Sequence, residues 1–213
     1  MSGSVSVVAA KGVRASGPAL NANAVVWLKP VAGGRAAAVP KGERFKILQQ
    51  RKRFEPHVLA VPVGSVVDFP NLDPFFHNVF SLFDGKRFDL GLYEAGSTHA
   101  VTFDRAGVSY IFCNIHPEMS AIVVSVDTPY FAVTGRNGEF NIPNVPAGRY
   151  LLNVWHERGK PDARDVFPRT VEIPAGGVSL PAIRLIDSGQ VTIPHNNKYG
   201  REYDPPPATG VYK

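Results

Sequence analysis

The strongest limit on what this chain can fold into is the spacing of its chain breakers. Short apolar runs recur from one end to the other: "VSVVA", "AVVWL", "HVLAV", "VVDF", "HAVTF", "VSYIF", "AIVVSV", "YFAVT", "RYLLNVW" and "VSLPAIRLI". Each is rich in Val, Ile, Phe or Tyr and is closed by Gly, Pro, Asn or Asp, the pattern of strands joined by turns. Nineteen prolines and twenty glycines, in clusters such as Pro70, Pro74, Pro143 and Pro146, leave no room for a sustained helical period. The expected class is all-β. "GRNGEF" sets Asn137 and Gly138, which tolerate positive φ, between two strand-like runs and predicts a hairpin. "PAGRY" predicts a second turn before the next strand.

Composition narrows the function classes. The net charge of +5 suits an acidic partner, but apart from "RKR" at 51–53 the basic residues are scattered, so nucleic-acid binding is not expected. No run reaches the roughly 18 apolar residues of a membrane helix. The opening "MSGSVSVVAA" lacks the basic start and apolar core of a leader, and the expectation is that a signal peptide has been removed. No Gly-rich phosphate loop, Ser/His arrangement or paired carboxylates stand at a recognisable spacing, so an enzyme is not expected.

The chemistry concentrates in "CNIHPEM", residues 113–119, which holds the only cysteine and one of two methionines. Copper cycling between two charge states favours a compromise donor set of one thiolate and two imidazoles, with a weaker thioether. Cys113, His116 and Met119 supply three of these from one short loop. "NLDPFFHNVF" supplies a fourth, His77, at the start of a strand that follows a turn at Asp73 and Pro74. Without a metal, Cys113 is a buried small hydrophobe, Met119 a core filler and His77 a strand-end histidine. Glu118 offers an oxygen in place of the Met119 sulfur. Asn78 is placed to bond across to the Cys113 loop, or to face water. His57 is a further candidate, as an extra ligand or as a group behind the ligands. Phe75, Phe76, Phe80 and Phe112 are candidates to exclude water, or simply core.

In these residues the chain resembles the cupredoxins, the type 1 blue-copper proteins. "VPVGSVVDFPNLDPFFHNVFS" is similar to the family's strand carrying the first histidine. "RFDLGLYEAGSTHAVTFDRAGVSYIFCNIHPEMSAIVVSV" is similar to its last three strands and ligand loop. The spacing of His116 and Met119 resembles the short loop of amicyanin more than the longer loop of plastocyanin. The resemblance implies a Greek-key sandwich over residues 41–127, with copper held by His77, Cys113 and His116 and an axial Met119.

The flanks resemble a second family. "GSVSVVAAKGVRASGPALNANAVVWLKP" and "FAVTGRNGEFNIPNVPAGRYLLNVWHE" are similar to the two halves of a carboxypeptidase-regulatory-like, transthyretin-type sandwich, closed by "RTVEIPAGGVSLPAIRLI". The implied organisation is a discontinuous domain, residues 1–34 and 128–187, into which the cupredoxin is inserted. A polar, Pro-rich tail follows at 188–213. The combination resembles bacterial proteins called methylamine utilisation proteins, although no residue here recognises an amine.

The expected function is an exported, periplasmic or extracellular carrier of single electrons that meets a redox partner, the basic charge favouring an acidic one. The alternatives are a copper buffer or chaperone, and a structural module with no redox role.

Overall fold

The computed structural model describes residues 1–10, 21–31, 38–39, 41–82, 85–162, 165–187, 189 and 196–203. In chain order the strands are β1 (Ser2–Ala9), β2 (Val25–Pro30), β3 (Arg44–Lys46), β4 (Leu48–Gln50), β5 (Arg53–Glu55) and β6 (Val58–Pro62). They continue with β7 (Ser65–Pro70), β8 (His77–Ser81), β9 (Phe88–Tyr93), β10 (Thr98–Phe103), β11 (Gly107–Phe112) and β12 (Ser120–Val126). The last six are β13 (Phe131–Val133), β14 (Glu139–Asn141), β15 (Gly148–Trp155), β16 (Gly159–Pro161), β17 (Arg169–Ile173) and β18 (Ile183–Asp187). The protein is all-β, as its chain breakers require, and among the described residues no helix is long and apolar enough to cross a membrane.

Two pairs of sheets enclose two cores. In the first pair, the sheet ordered β6-β12-β11-β8-β9 faces the sheet β10-β7-β3. Val79, Ile111, Ala121 and Val123 from one side meet Val67, Phe69, Val101 and Phe103 from the other, and Cys113 and Met119 belong to the same core. In the second pair, β14-β1-β18-β16 faces β13-β2-β15-β17. Val5, Val7, Phe140, Ile183 and Leu185 there meet Val26, Leu28, Tyr150 and Leu152. Alternation along each strand sends every second side chain inward, which is why these positions are the apolar ones.

The two pairs share a third apolar layer. Residues Ile122, Val124 and Val126 of β12 point away from the first core and pack with Val58, Ala60 and Val25, flanked by Trp27, Phe131 and Trp155. Strand β12 is thus buried on both faces, which explains its nearly unbroken apolar run.

One expectation is corrected. The Asn137-Gly138 turn exists, with Gly138 at φ +86, but it does not close a hairpin. Strand β13 before it pairs with β2, and β14 after it pairs with β1 in the opposite sheet. The turn is an arch between sheets. Close approach decides this: the Val5 N–H donates to the Gly138 carbonyl at 2.8 Å, and a Cβ on Gly138 would lie 2.1 Å from the Val5 carbonyl oxygen. Only glycine fits there. The turn expected at "PAGRY" does lead into β15, which begins at Gly148.

Across the shared layer, His57 Nε2 pairs with Glu157 at 2.8 Å, while His57 Nδ1 lies 3.2 Å from the Ser120 carbonyl. The hydrogen bond to Glu157 raises the His57 pKa against the opposing effect of burial. A raised folded-state pKa stabilises fully below the unfolded value of about 6.5 and loses that contribution as pH rises through the folded value. The difference in urea-unfolding free energy between wild type and Glu157→Gln should therefore be largest near pH ~6, where the carboxylate is ionised and the imidazole protonated, and shrink as the pH is raised from there. It should stay below about 1 kcal/mol, because the pair is partly exposed.

Candidate metal centre

The site is assembled where three strands end together. Strand β11 pairs antiparallel with β12 from Gly107↔Ser125 to Phe112↔Ser120, and the loop 113–119 caps this ladder. Two backbone bonds tighten the loop: the Cys113 N–H donates to the Met119 carbonyl at 3.3 Å, and the Met119 N–H to the His116 carbonyl at 3.0 Å. On the other side of β11 the partner is β8, with Phe112↔Phe80 in register. Because that pairing is antiparallel, the start of β8 lies beside the end of β11, and His77 meets Cys113.

Three donor atoms converge. His77 Nδ1 and His116 Nδ1 are 3.2 Å apart, and Cys113 Sγ is 3.8 Å from the first and 3.7 Å from the second. Such a group is able to hold a metal ion, and among the described residues no carboxylate joins it. His77 and Cys113 are fully buried, and His116 is half-buried. Met119 is fully buried in the same core as Cys113. Glu118, the other axial candidate, is exposed.

The ring of His77 is oriented from behind. Its Nε2 donates to Asp73 Oδ2 at 2.9 Å, which leaves the lone pair on Nδ1 and turns it toward Cys113 and His116. Asp73 is itself fixed by the turn the sequence predicts around it. Asn71 Oδ1 accepts the Asp73 N–H at 3.1 Å, and Asn71 Nδ2 donates to the Phe75 carbonyl at 2.8 Å. The Asp73 carboxylate also takes the N–H groups of Arg51 at 2.6 Å and Lys52 at 2.9 Å. Both of those residues are left-handed, each at φ 55, an unfavourable conformation for residues with side chains. Burial works against ionisation of Asp73, but the bonds from Lys52, His77 and Arg51 outweigh it and hold the carboxyl below its usual range.

The other two donors are shielded to different degrees, Cys113 fully and His116 in part. Burial pushes the Cys113 thiol up, while the backbone N–H groups of Asn78, Ile115 and His116 pull against it. Burial, helped by His77 and Lys52, holds His116 below the ordinary histidine value, so its resting form is the neutral imidazole. The Phe75 ring lies 5.2 Å from the His77 ring and 5.7 Å from that of His116. An open cavity lined by Lys52, Phe75, Phe76, Ile115 and His116 faces solvent.

Several predicted residues lie elsewhere or act otherwise than expected. The Asn78 side chain does not reach the Cys113 loop. Its amide donates to Asp89 Oδ1 and the Gly91 carbonyl on β9, each at 2.8 Å, because an ionised carboxylate is the stronger acceptor. It is the backbone N–H of Asn78 that faces the sulfur. His57 stands apart from the three donors, with its ring nitrogens against Ser120 and Glu157. Phe80 and Phe112 are buried together with centroids 6.0 Å apart, whereas Phe76 is 55% exposed. In the sequence Asp73 presents itself only as a turn residue beside Pro74. Its place four residues before His77 was the available signal. The polar, Pro-rich tail at 188–213 also bears on the site. Its described part, residues 196–203, lies against the loop: the Lys198 N–H donates to Asn114 Oδ1 at 2.9 Å, and the Tyr203 hydroxyl donates to the Cys113 carbonyl at 3.0 Å. Burial, with the Cys113 charge adding to it, pushes the Tyr203 phenol up to about 12, so it remains a donor at neutral pH. The rest of the tail, apart from residue 189, falls outside the described residues.

No protein-family model matches the chain, and no curated protein matches it. Solved structures do match in part. The copper-containing nitrite reductase from Thermus scotoductus SA-01 is 28% identical over 46% of this chain, with a TM-score of 0.37, and the match covers 25% of the reductase. A purple cupredoxin from Nitrosopumilus maritimus is 24% identical over 38% of this chain and 99% of its own, with a TM-score of 0.35. An amicyanin mutant in its Cu(I) form is 23% identical over 49% of this chain and 99% of its own, with a TM-score of 0.38.

Asp73 bears on both the stability and the ring orientation of the site. Asp73→Ala should lower the unfolding free energy by about 2–3 kcal/mol, the scale of lost hydrogen bonds to a charged group. In nitrogen NMR of the metal-free protein, His77 should change from a single Nε2–H tautomer to a mixture.

Proposed function

We propose that the chain is an exported carrier of single electrons, built around one copper ion held by His77, Cys113, His116 and Met119. The observation that carries this reading is the convergence of one sulfur and two imidazole nitrogens, from two separate segments, within 3.8 Å of one another. Copper supplies a one-electron couple, and a thiolate with two imidazoles suits both of its oxidation states.

The chain's own residues support each requirement of such a carrier. Asp73 holds the His77 ring in one tautomer. The two bonds inside the loop limit how far Cys113 and His116 can move apart. Phe75 covers the imidazoles, and the half-buried His116 opens on a surface with exposed Phe76 and Ile115. That edge is where a redox partner would approach. Lys52 beside it and the net charge of +5 favour an acidic partner.

The reading assigns residues 41–127 to an inserted electron-transfer unit of cupredoxin type. Residues 1–34 and 128–187 form the host sandwich, of carboxypeptidase-regulatory-like type, and act as a scaffold or docking module; residues 188–213 are the tail. A copper buffer would draw on extra donors from His57 or Glu118. The engagement of His57 by Glu157 and the exposure of Glu118 favour the carrier instead.

The test is the visible and electron paramagnetic spectrum of the Cu(II)-loaded protein. Wild type should show an intense band near ~600 nm with narrow hyperfine splitting, as a copper–thiolate bond produces. Cys113→Ser should lose both. A colourless protein, or copper affinity unchanged by the substitution, would contradict the reading.

A further inference from the structure

Residues 196–203 are distant in sequence from the site but are shaped to meet it. They form a self-bonded turn. The Gly200 N–H donates to the Asn197 carbonyl at 2.9 Å, the Asn197 N–H to the Arg201 carbonyl at 2.8 Å, and Asn197 Oδ1 accepts from Tyr199 and Arg201 at 3.0 and 3.1 Å. A turn that satisfies its own backbone in this way presents Lys198 and Tyr203 in fixed positions.

Those two residues reach both ligand-bearing segments. The backbone N–H of Lys198 holds Asn114, the residue after Cys113, at 2.9 Å, and its ammonium holds Asp89 Oδ2 on β9 at 2.8 Å. The other oxygen of Asp89 takes the side chain of Asn78, the residue after His77, at 2.8 Å. An unbroken chain Asn78–Asp89–Lys198–Asn114 therefore joins the His77 strand to the Cys113 loop. The Tyr203 hydroxyl adds a bond to the carbonyl of Cys113 itself. We infer that residues 196–203 are a clamp, with Lys198 and Tyr203 as positioning residues that hold the Cys113 loop closed against β8 and β9.

Cys113 is fully buried, so a reagent or a competing metal acceptor reaches its sulfur only when the loop opens locally. The loop's own closure rests on two backbone bonds. The clamp adds the Tyr203 and Lys198 bonds to the cost of that opening without adding to the core, so it raises local rather than global stability. The inference deepens the copper reading, on which it rests for its purpose: a loop held shut before and after metal entry keeps the donors at fixed separation. The clamp takes over the bridging role that the sequence suggested for the Asn78 side chain alone.

The test uses the full-length protein, first metal-free. The rate at which an aromatic disulfide reagent modifies Cys113 is compared among wild type, Tyr203→Phe, Lys198→Met and Lys198→Arg. Tyr203→Phe and Lys198→Met should each react roughly three- to tenfold faster, the factor expected for one lost hydrogen bond. Lys198→Arg, which retains the charge and donors toward Asp89, should react near the wild-type rate. The thermal midpoint should stay at the wild-type value in all three variants. In the Cu(I)-loaded proteins, transfer to a chromogenic chelator should accelerate in the same order. Equal thiol reactivity in all variants would overturn the clamp, as would acceleration matched by a fall in thermal midpoint. Accelerated thiol reactivity in a protein that shows no copper–thiolate band would uphold the clamp and reject the copper reading, so the two fail separately.

Discussion

The ladder between β11 and β12 is the constraint on which the rest of the site depends. Its final pair, Phe112↔Ser120, sets the two ends of the loop side by side. Only seven residues bridge them, and two of the loop's own backbone bonds are spent inside that bridge. Cys113, at the root of the loop, is carried directly by the sheet, whereas His116, at its crest, is half-buried. The same sheet carries β8 on the opposite flank of β11, so the position of His77 relative to Cys113 is decided by strand pairing and not by loop chemistry. A site whose donors are placed by a sheet is less free to rearrange than one placed by loops.

Strand β12 carries a second burden. Ala121 and Val123 face the core beneath the site, while Ile122, Val124 and Val126 face the layer shared with β2, β6 and β15. The backbone that anchors Met119 is therefore packed from both sides. Ser120, the next residue, is contacted by His57, which also reaches Glu157 beyond β15. Through this layer the flanking sheets buttress the sheet that carries Cys113, and among the described residues they add no donor to the three.

How much of this was legible in the sequence follows from the range of each interaction. The strand content was legible because alternation and chain breakers act locally, and the three converging donors were legible because their residue types are demanded by one chemistry. Failures came where distant partners decide the outcome. Asn137-Gly138 has the local signature of a hairpin turn, yet the strands on either side join different sheets because β1 and β2 are available as partners. Asn78 follows His77 directly and its expected partner is the Cys113 loop, but its side chain bonds Asp89, eleven residues on, across a bulged pairing. Asp73 looked like a turn former, and its carboxylate turned out to hold His77 and two left-handed residues of another turn. Lys198 and Tyr203 carried no signal at all, since nothing near them in the sequence indicates that they lie against residues 84 to 90 positions away.

Strand pairing places the Cys113 sulfur beside the His77 nitrogen, and a short self-bonded loop places the His116 nitrogen, a set that would hold copper with little rearrangement in either oxidation state. X-ray absorption at the copper edge, on the Cu(I) and Cu(II) forms of the full-length protein, tests it most directly. The account predicts one short sulfur and two nitrogen scatterers in both states, with bond lengths that barely change on reduction. A first shell without sulfur, or the loss of a nitrogen ligand on reduction, would contradict it.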